Sequence, residues 1–144
     1  MQIALAADER TGIADALAPE LARRGHDVLL HGALAPPEPA DWAWCAAAAA
    51  RDVAEGRAQQ AVVCCWTGTG AAIAANKVRG IRAALCGDAQ TAAGARCWND
   101  ANVLALSLRA VSQAQLVEIL DAWFETPASN DAQDQKNIAK LEQE

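Results

Sequence analysis

The sequence predicts a doubly wound, three-layer α/β/α fold of Rossmann-like type, with five parallel strands and a helical tail at the C-terminus. Two observations predict it. Short apolar runs of the kind that form buried strands alternate along the chain with stretches of helical spacing. The connections between successive runs are long enough for crossover helices, whose right-handedness puts helices on both sheet faces. The 144 residues suffice for one such domain with a real core.

The elements follow in order. "QIALAA" (2–7) is a short apolar run ending at Asp8, as a buried strand would. In "TGIADALAPELARRG", Ile13, Leu17 and Leu21 recur at helical spacing and Gly25 is the stop. "HDVLLHG" is the second strand. Pro36, Pro37 and Pro39 then break the chain before an alanine-rich helix that ends near Gly56. "AVVCC" is the third strand and "AIAANKV" a helix; "GIRAALC" is the fourth strand, "DAQTAAGARC" a short helix and "ANVLAL" the fifth strand. From Val111 to Phe124, one helical face carries Val111, Leu116, Ile119, Leu120 and Trp123. Residues 1–126 thus form the domain, and 127–144 a polar tail whose few apolar residues, Ile138 and Leu141, suit docking on another subunit better than standing alone.

Composition narrows the function. A net charge of −6 argues against nucleic acid and anionic membranes as partners. No run reaches the ~18 apolar residues of a membrane span, and "MQIALAADER" has no basic region before its apolar residues, so a cytoplasmic location is expected. The five cysteines, Cys45, Cys64, Cys65, Cys86 and Cys97, are an odd number and read as reduced thiols. There is no C-x-x-C or His-x-His spacing, and only His26 and His31 offer imidazole; neither metal nor cofactor is expected. Both histidines flank the second strand and read as structural.

In this architecture ligands bind at the carboxyl ends of the strands, and Asp8, Cys65 to Gly70, Asp88 and Trp98 to Asn102 are expected there. Gly68 and Gly70 let backbone amides approach a ligand and open a helix whose start favours negative charge. No Gly-Lys-Ser/Thr follows, so the turn is not a Walker loop, and Ile73 stands where a dinucleotide fingerprint needs its third glycine. Cys65, directly before the turn, is placed to act as a thiolate base or nucleophile. Equally, Cys64 and Cys65 read as small buried hydrophobes, one on each sheet face.

"TGTGAAIAANKVRGIRAALC" (67–86) resembles the core of the ribose-5-phosphate isomerase B and galactose-6-phosphate isomerase family, where a Cys-Gly-Thr-Gly-x-Gly turn leads into x-x-I-A-A-N-K-x-x-G-x-R-A-A-L. "WNDANVLAL" (98–106) is similar to the family's His-Asn-x-x-N-x-L-x-L. The resemblance implies an aldose–ketose isomerase whose active sites are shared across a dimer, or a dimer of dimers. It implies Cys65 as the base that moves a proton between adjacent carbons, Thr67, Gly68 and Gly70 around the enediolate, Asn99 beside it, and Asp8 on substrate hydroxyls. Glu9, Arg10, Thr69 and Arg109 are further substrate-side candidates.

The sequence also departs from the family. Glu9 and Trp98 stand where the family has histidines, the second of them the ring opener, and Trp66 stands where it has glycine. The tail reads "DQKNIAK" in place of a pattern with phosphate-binding arginines. Trp42 and Trp44 lie where the family has an aspartate–tyrosine–proline segment beside the site. Trp42, Trp44, Trp66 and Trp98 are therefore expected to ring one pocket, in loops or at strand ends, with Trp123 in the core. An isomerase of an altered sugar or hydroxy-carbonyl compound, not ordinary ribose 5-phosphate, is the first reading. The alternative is a non-catalytic carbohydrate-binding paralogue, or a subunit of a hetero-oligomeric isomerase.

Overall fold

The computed structural model describes residues 1–144. Five parallel strands, β1 (Gln2–Ala7), β2 (Asp27–Gly32), β3 (Gln60–Cys65), β4 (Ala83–Leu85) and β5 (Val103–Ser107), lie in the order β2-β1-β3-β5-β4. Helices α1 (Ala14–Arg23), α2 (Trp42–Ala54), α3 (Thr69–Asn76), α4 (Ala89–Asn99) and α5 (Gln113–Glu125) alternate with them, and α6 (Ala132–Leu141) forms the tail. The expected fold class is the one observed. β4 is shorter than expected, three residues at a sheet edge, because its flanks serve as turns.

Strand alternation divides the core. Ile3, Leu5, Val62, Cys64, Leu104 and Leu106 face α1, α4 and α5, where Trp123 is buried and donates its indole N–H to Gln60 Oε1 at 2.9 Å. Ala4, Ala6, Val63, Cys65 and Ala105 face α2 and α3. Most of that second layer is alanine, including Ala46, Ala49, Ala50, Ala71 and Ala75, so its helices approach the sheet closely. Cys64 and Cys65 point to opposite faces, as alternation requires.

Several ends differ from expectation. The Asp41 side chain accepts the Trp44 N–H at 2.9 Å, so α2 begins at Trp42 and both tryptophans occupy its first turn, not a loop. Asp88 caps α4 in the same way, accepting from Thr91 N at 2.7 Å, and the helix runs on through Trp98 and Asn99. No residue of α6 is buried, Ile138 is half-buried, and Leu141 is exposed. Its end is held to the body by an ion pair between Glu142 and Arg82. No helix is long and apolar enough to cross a membrane.

Candidate active site

The chain leaves β1 toward β2 on one side and β3 lies on the other, so the crevice beyond β1 and β3 is the switch point of the sheet. Ala7 pairs with Cys64 in the parallel register, which places the next residues, Asp8 and Cys65, side by side at its mouth. The turn after Cys65 is fixed by backbone bonds to the end of β5. Leu108 N donates to Cys65 O at 3.0 Å, Arg109 N to Trp66 O at 3.0 Å, and the Ser107 hydroxyl to Trp66 O at 2.9 Å.

Gly68 is the residue before α3 and has φ +79°. A Cβ there would stand 2.6 Å from Leu85 Cδ1 and 2.9 Å from the Leu106 carbonyl carbon, so only glycine fits. Gly68 provides no side-chain cap; instead Cys65 Sγ accepts the Ala71 N–H, at 3.5 Å. The thiol therefore occupies the start of α3. The N–H groups of Thr69 and Gly70 donate to no protein group. Beside them the Thr67 and Thr69 hydroxyls pair at 2.8 Å. A sulfur, two free amides and two hydroxyls are thus supplied by the single turn from Cys65 to Gly70.

Three of the other thiols, Cys45, Cys64 and Cys86, are unsuited to proton transfer. Burial, with Asp8 and Asp41 nearby, pushes Cys45 up to about 12; burial and Asp88 push Cys86 up to about 11. Cys64 is raised by complete burial and then by Cys65 and Asp8. Asp8 itself is raised, first by burial and then by the Glu9 carboxylate, and its Oδ1 is buried without a hydrogen-bond partner. Such an oxygen awaits a donor such as a sugar hydroxyl.

Trp42, Trp44 and Trp66 line the same edge and are exposed. The Trp42 ring lies on Gly70, where a Cβ would be 2.9 Å from two of its carbons. Arg10 is held by Asp15 at 2.8 Å, whereas Arg109 is exposed and forms no ion pair. The groups that the sequence reading overlooked are Cys45, packed under Gly32, and Ser107, which fixes the Trp66 carbonyl.

A model of the family described as Ribose/Galactose Isomerase matches residues 3–141. The chain belongs to this family. Ribose-5-phosphate isomerase B of Mycobacterium tuberculosis is 39% identical over 119 residues, 82% of this chain and 73% of that protein. D-erythrulose-4-phosphate isomerase of Pectobacterium atrosepticum is 42% identical over 76 residues, and this match spans only half the length of that relative. The solved structure of Clostridium thermocellum ribose-5-phosphate isomerase B superposes with a TM-score of 0.89 at 32% identity, over 99% of this chain and 96% of that one.

One expectation drawn from the sequence fails in the isomerase-family fold. Trp98 to Asn102 do not lie at the carboxyl ends of the strands. They immediately precede β5 and so occupy its amino end, where Asn102 O accepts from Ala61 N at the start of β3. Ala61 and Cys65 are four residues apart, about 13 Å along the strand. Trp98, 61% exposed, folds back on Gly94 of its own helix. Asn99 is exposed and opens instead on an amino-edge cavity of ≈ 600 Å³ lined by Lys77, Arg79, Arg82 and the tail's Leu141 and Glu142. Within one chain, three of the four tryptophans stand at the carboxyl edge of the sheet and the fourth does not.

Proposed function

We propose that this chain is an aldose–ketose isomerase with Cys65 as its base. The carrying observation is the Cys65 sulfur set on the Ala71 N–H at the start of α3, with the Thr69 and Gly70 amides open beside it. The thiolate takes the proton from the carbon next to the substrate carbonyl. The electron pair moves onto the carbonyl oxygen, and the amides and the Thr67 hydroxyl stabilise the enediolate. The hydroxyl on the deprotonated carbon passes its proton to the former carbonyl oxygen, and the same sulfur returns the first proton to the former carbonyl carbon. A carbonyl then stands where the hydroxyl was, while Asp8 holds the other substrate hydroxyls.

Asn99 and the tail reach this site only from a second copy, so the active unit is a dimer in which residues 127–144 and the end of α4 cross to the partner. The substrate is a hydroxy-carbonyl compound of weak charge. Arg109 is the one unpaired guanidinium at the site, and the cations on α6 are lysines, Lys136 and Lys140, which do not offer a bidentate fork. Trp42, Trp44 and Trp66 offer ring faces to a sugar face or flat apolar group, at about 0.5–1.5 kcal/mol per good contact.

Exchange of solvent deuterium into a panel of sugars, sugar phosphates and hydroxyketones tests the reading. Cys65→Ser should lower exchange by about 10²–10⁴-fold, and alkylation should label Cys65 before Cys64. Unchanged exchange in Cys65→Ser would refute the base, and fast turnover of ribose 5-phosphate would refute the substrate class. A non-catalytic subunit paired with an active paralogue is favoured by one observation: no free imidazole stands at the site. His31, the only histidine at that edge, is tied to Asp52 and Glu38.

A further inference from the structure

His31 ends the exposed part of β2, and its ring bridges two carboxylates. Nε2 lies 2.6 Å from Asp52 Oδ2 on α2, and Nδ1 lies 3.1 Å from Glu38 Oε2 in the proline-rich loop before α2. Glu38 Oε2 also accepts the Gly32 N–H at 3.0 Å, and the second oxygen of Asp52 accepts from Arg57 Nε at 2.7 Å. Arg57 in turn pairs with Glu55. The Asp52 side chain is 7% exposed and that of His31 16%. The edge of the imidazole meets the Trp44 ring at 6.5 Å and 68°. One ring therefore joins the end of β2, the loop and the helix that carries Trp42 and Trp44.

A carboxylate accepts and does not donate, so both contacts are satisfied together only when both ring nitrogens carry hydrogen. Asp52, Glu38 and Glu55 face the Arg57 guanidinium and the imidazole, and a ring short of one of these hydrogens would set a lone pair opposite a carboxylate. Glu38 is four residues from Trp42, and its loop sets where α2 begins.

We propose that His31 is a positioning residue for the aromatic side of the site, its two ring nitrogens tying the loop before α2 and the helix that carries Trp44 to the end of β2 through Glu38 and Asp52. This rests on the reading of Trp42 and Trp44 as substrate-facing.

Acrylamide quenching of tryptophan fluorescence in the full chain reads the clamp without any catalytic step. His31→Ala and Glu38→Ala should each be about twofold easier to quench than the wild type. In a Trp44→Phe background most of that difference should be lost. Glu38→Ala keeps the His31–Asp52 bond and serves as the test even if His31→Ala folds poorly. Quenching unaltered in Glu38→Ala, or a difference that persists undiminished in the Trp44→Phe background, would overturn the proposal. Failure of the isomerase assay with this quenching response intact would count against the proposed function alone.

Discussion

Asp8 is a side chain whose placement works against the stability of the fold. Its carboxyl is held above the usual range by burial and by Glu9, and one oxygen has no partner. In strong acid the group is protonated in both the folded and the unfolded chain and changes nothing. As pH rises from about 4, the unfolded chain loses the proton first, and folding is weakened until the raised native value is passed. Asp8→Asn should therefore stabilise the protein at neutral pH, by about 1 kcal/mol, with the gain vanishing in acid, while turnover falls. Denaturant midpoints at the two pH values check the sign. Gly70 makes a second residue-level case, because Trp42 lies where its side chain would be. Gly70→Ala should cost about 1–3 kcal/mol through overpacking, and much less in a Trp42→Ala background. Equal costs in the two backgrounds would show that the contact is not the cause.

Helix ends carry the logic of the elements. Ser112 and Gln115 form a reciprocal capping box at the start of α5, with bonds of 3.1 and 2.9 Å. Ser112→Ala should lower unfolding free energy by about 1 kcal/mol, measurable by urea titration without loss of catalysis. Periodicity made α5 legible in the sequence, since Leu116, Ile119, Leu120 and Trp123 are all buried. The five strands and the opposed faces of Cys64 and Cys65 were legible for the same reason. What was not legible lay at helix ends and in long-range pairing. A cap at Asp41 drew Trp42 and Trp44 into α2, and α4 extended to Asn99. The misplacement of Trp98 and Asn99 had a readable signal, because a residue just before a parallel strand must lie at its amino end. The His31–Asp52–Glu38 bridge had none: its members are separated by 7 and 21 residues, and only the fold brings them together.

Across the whole molecule, the two halves of the proposed chemistry stand at opposite edges of one sheet. Cys65 and the α3 start face the carboxyl edge, while Trp98, Asn99 and the tail belong to the amino edge. A helix the length of α4, 11 residues or about 16 Å, separates the edges on that side, so no side-chain rotation brings Asn99 to Cys65. Two copies related by a two-fold axis can solve this, each lending its amino-edge arm to the other's turn. Complementation tests that arrangement directly. Cys65→Ala and the pair Trp98→Ala with Asn99→Ala should each be inactive alone. Unfolded together and refolded in equal amounts, half the dimers are mixed, and each mixed dimer has one site built from an intact Cys65 and an intact arm. Activity should then return to about a quarter of the wild-type value, set by random pairing of symmetric subunits. If native mass spectrometry shows mixed dimers and no activity returns, the arm of one copy does not complete the turn of the other.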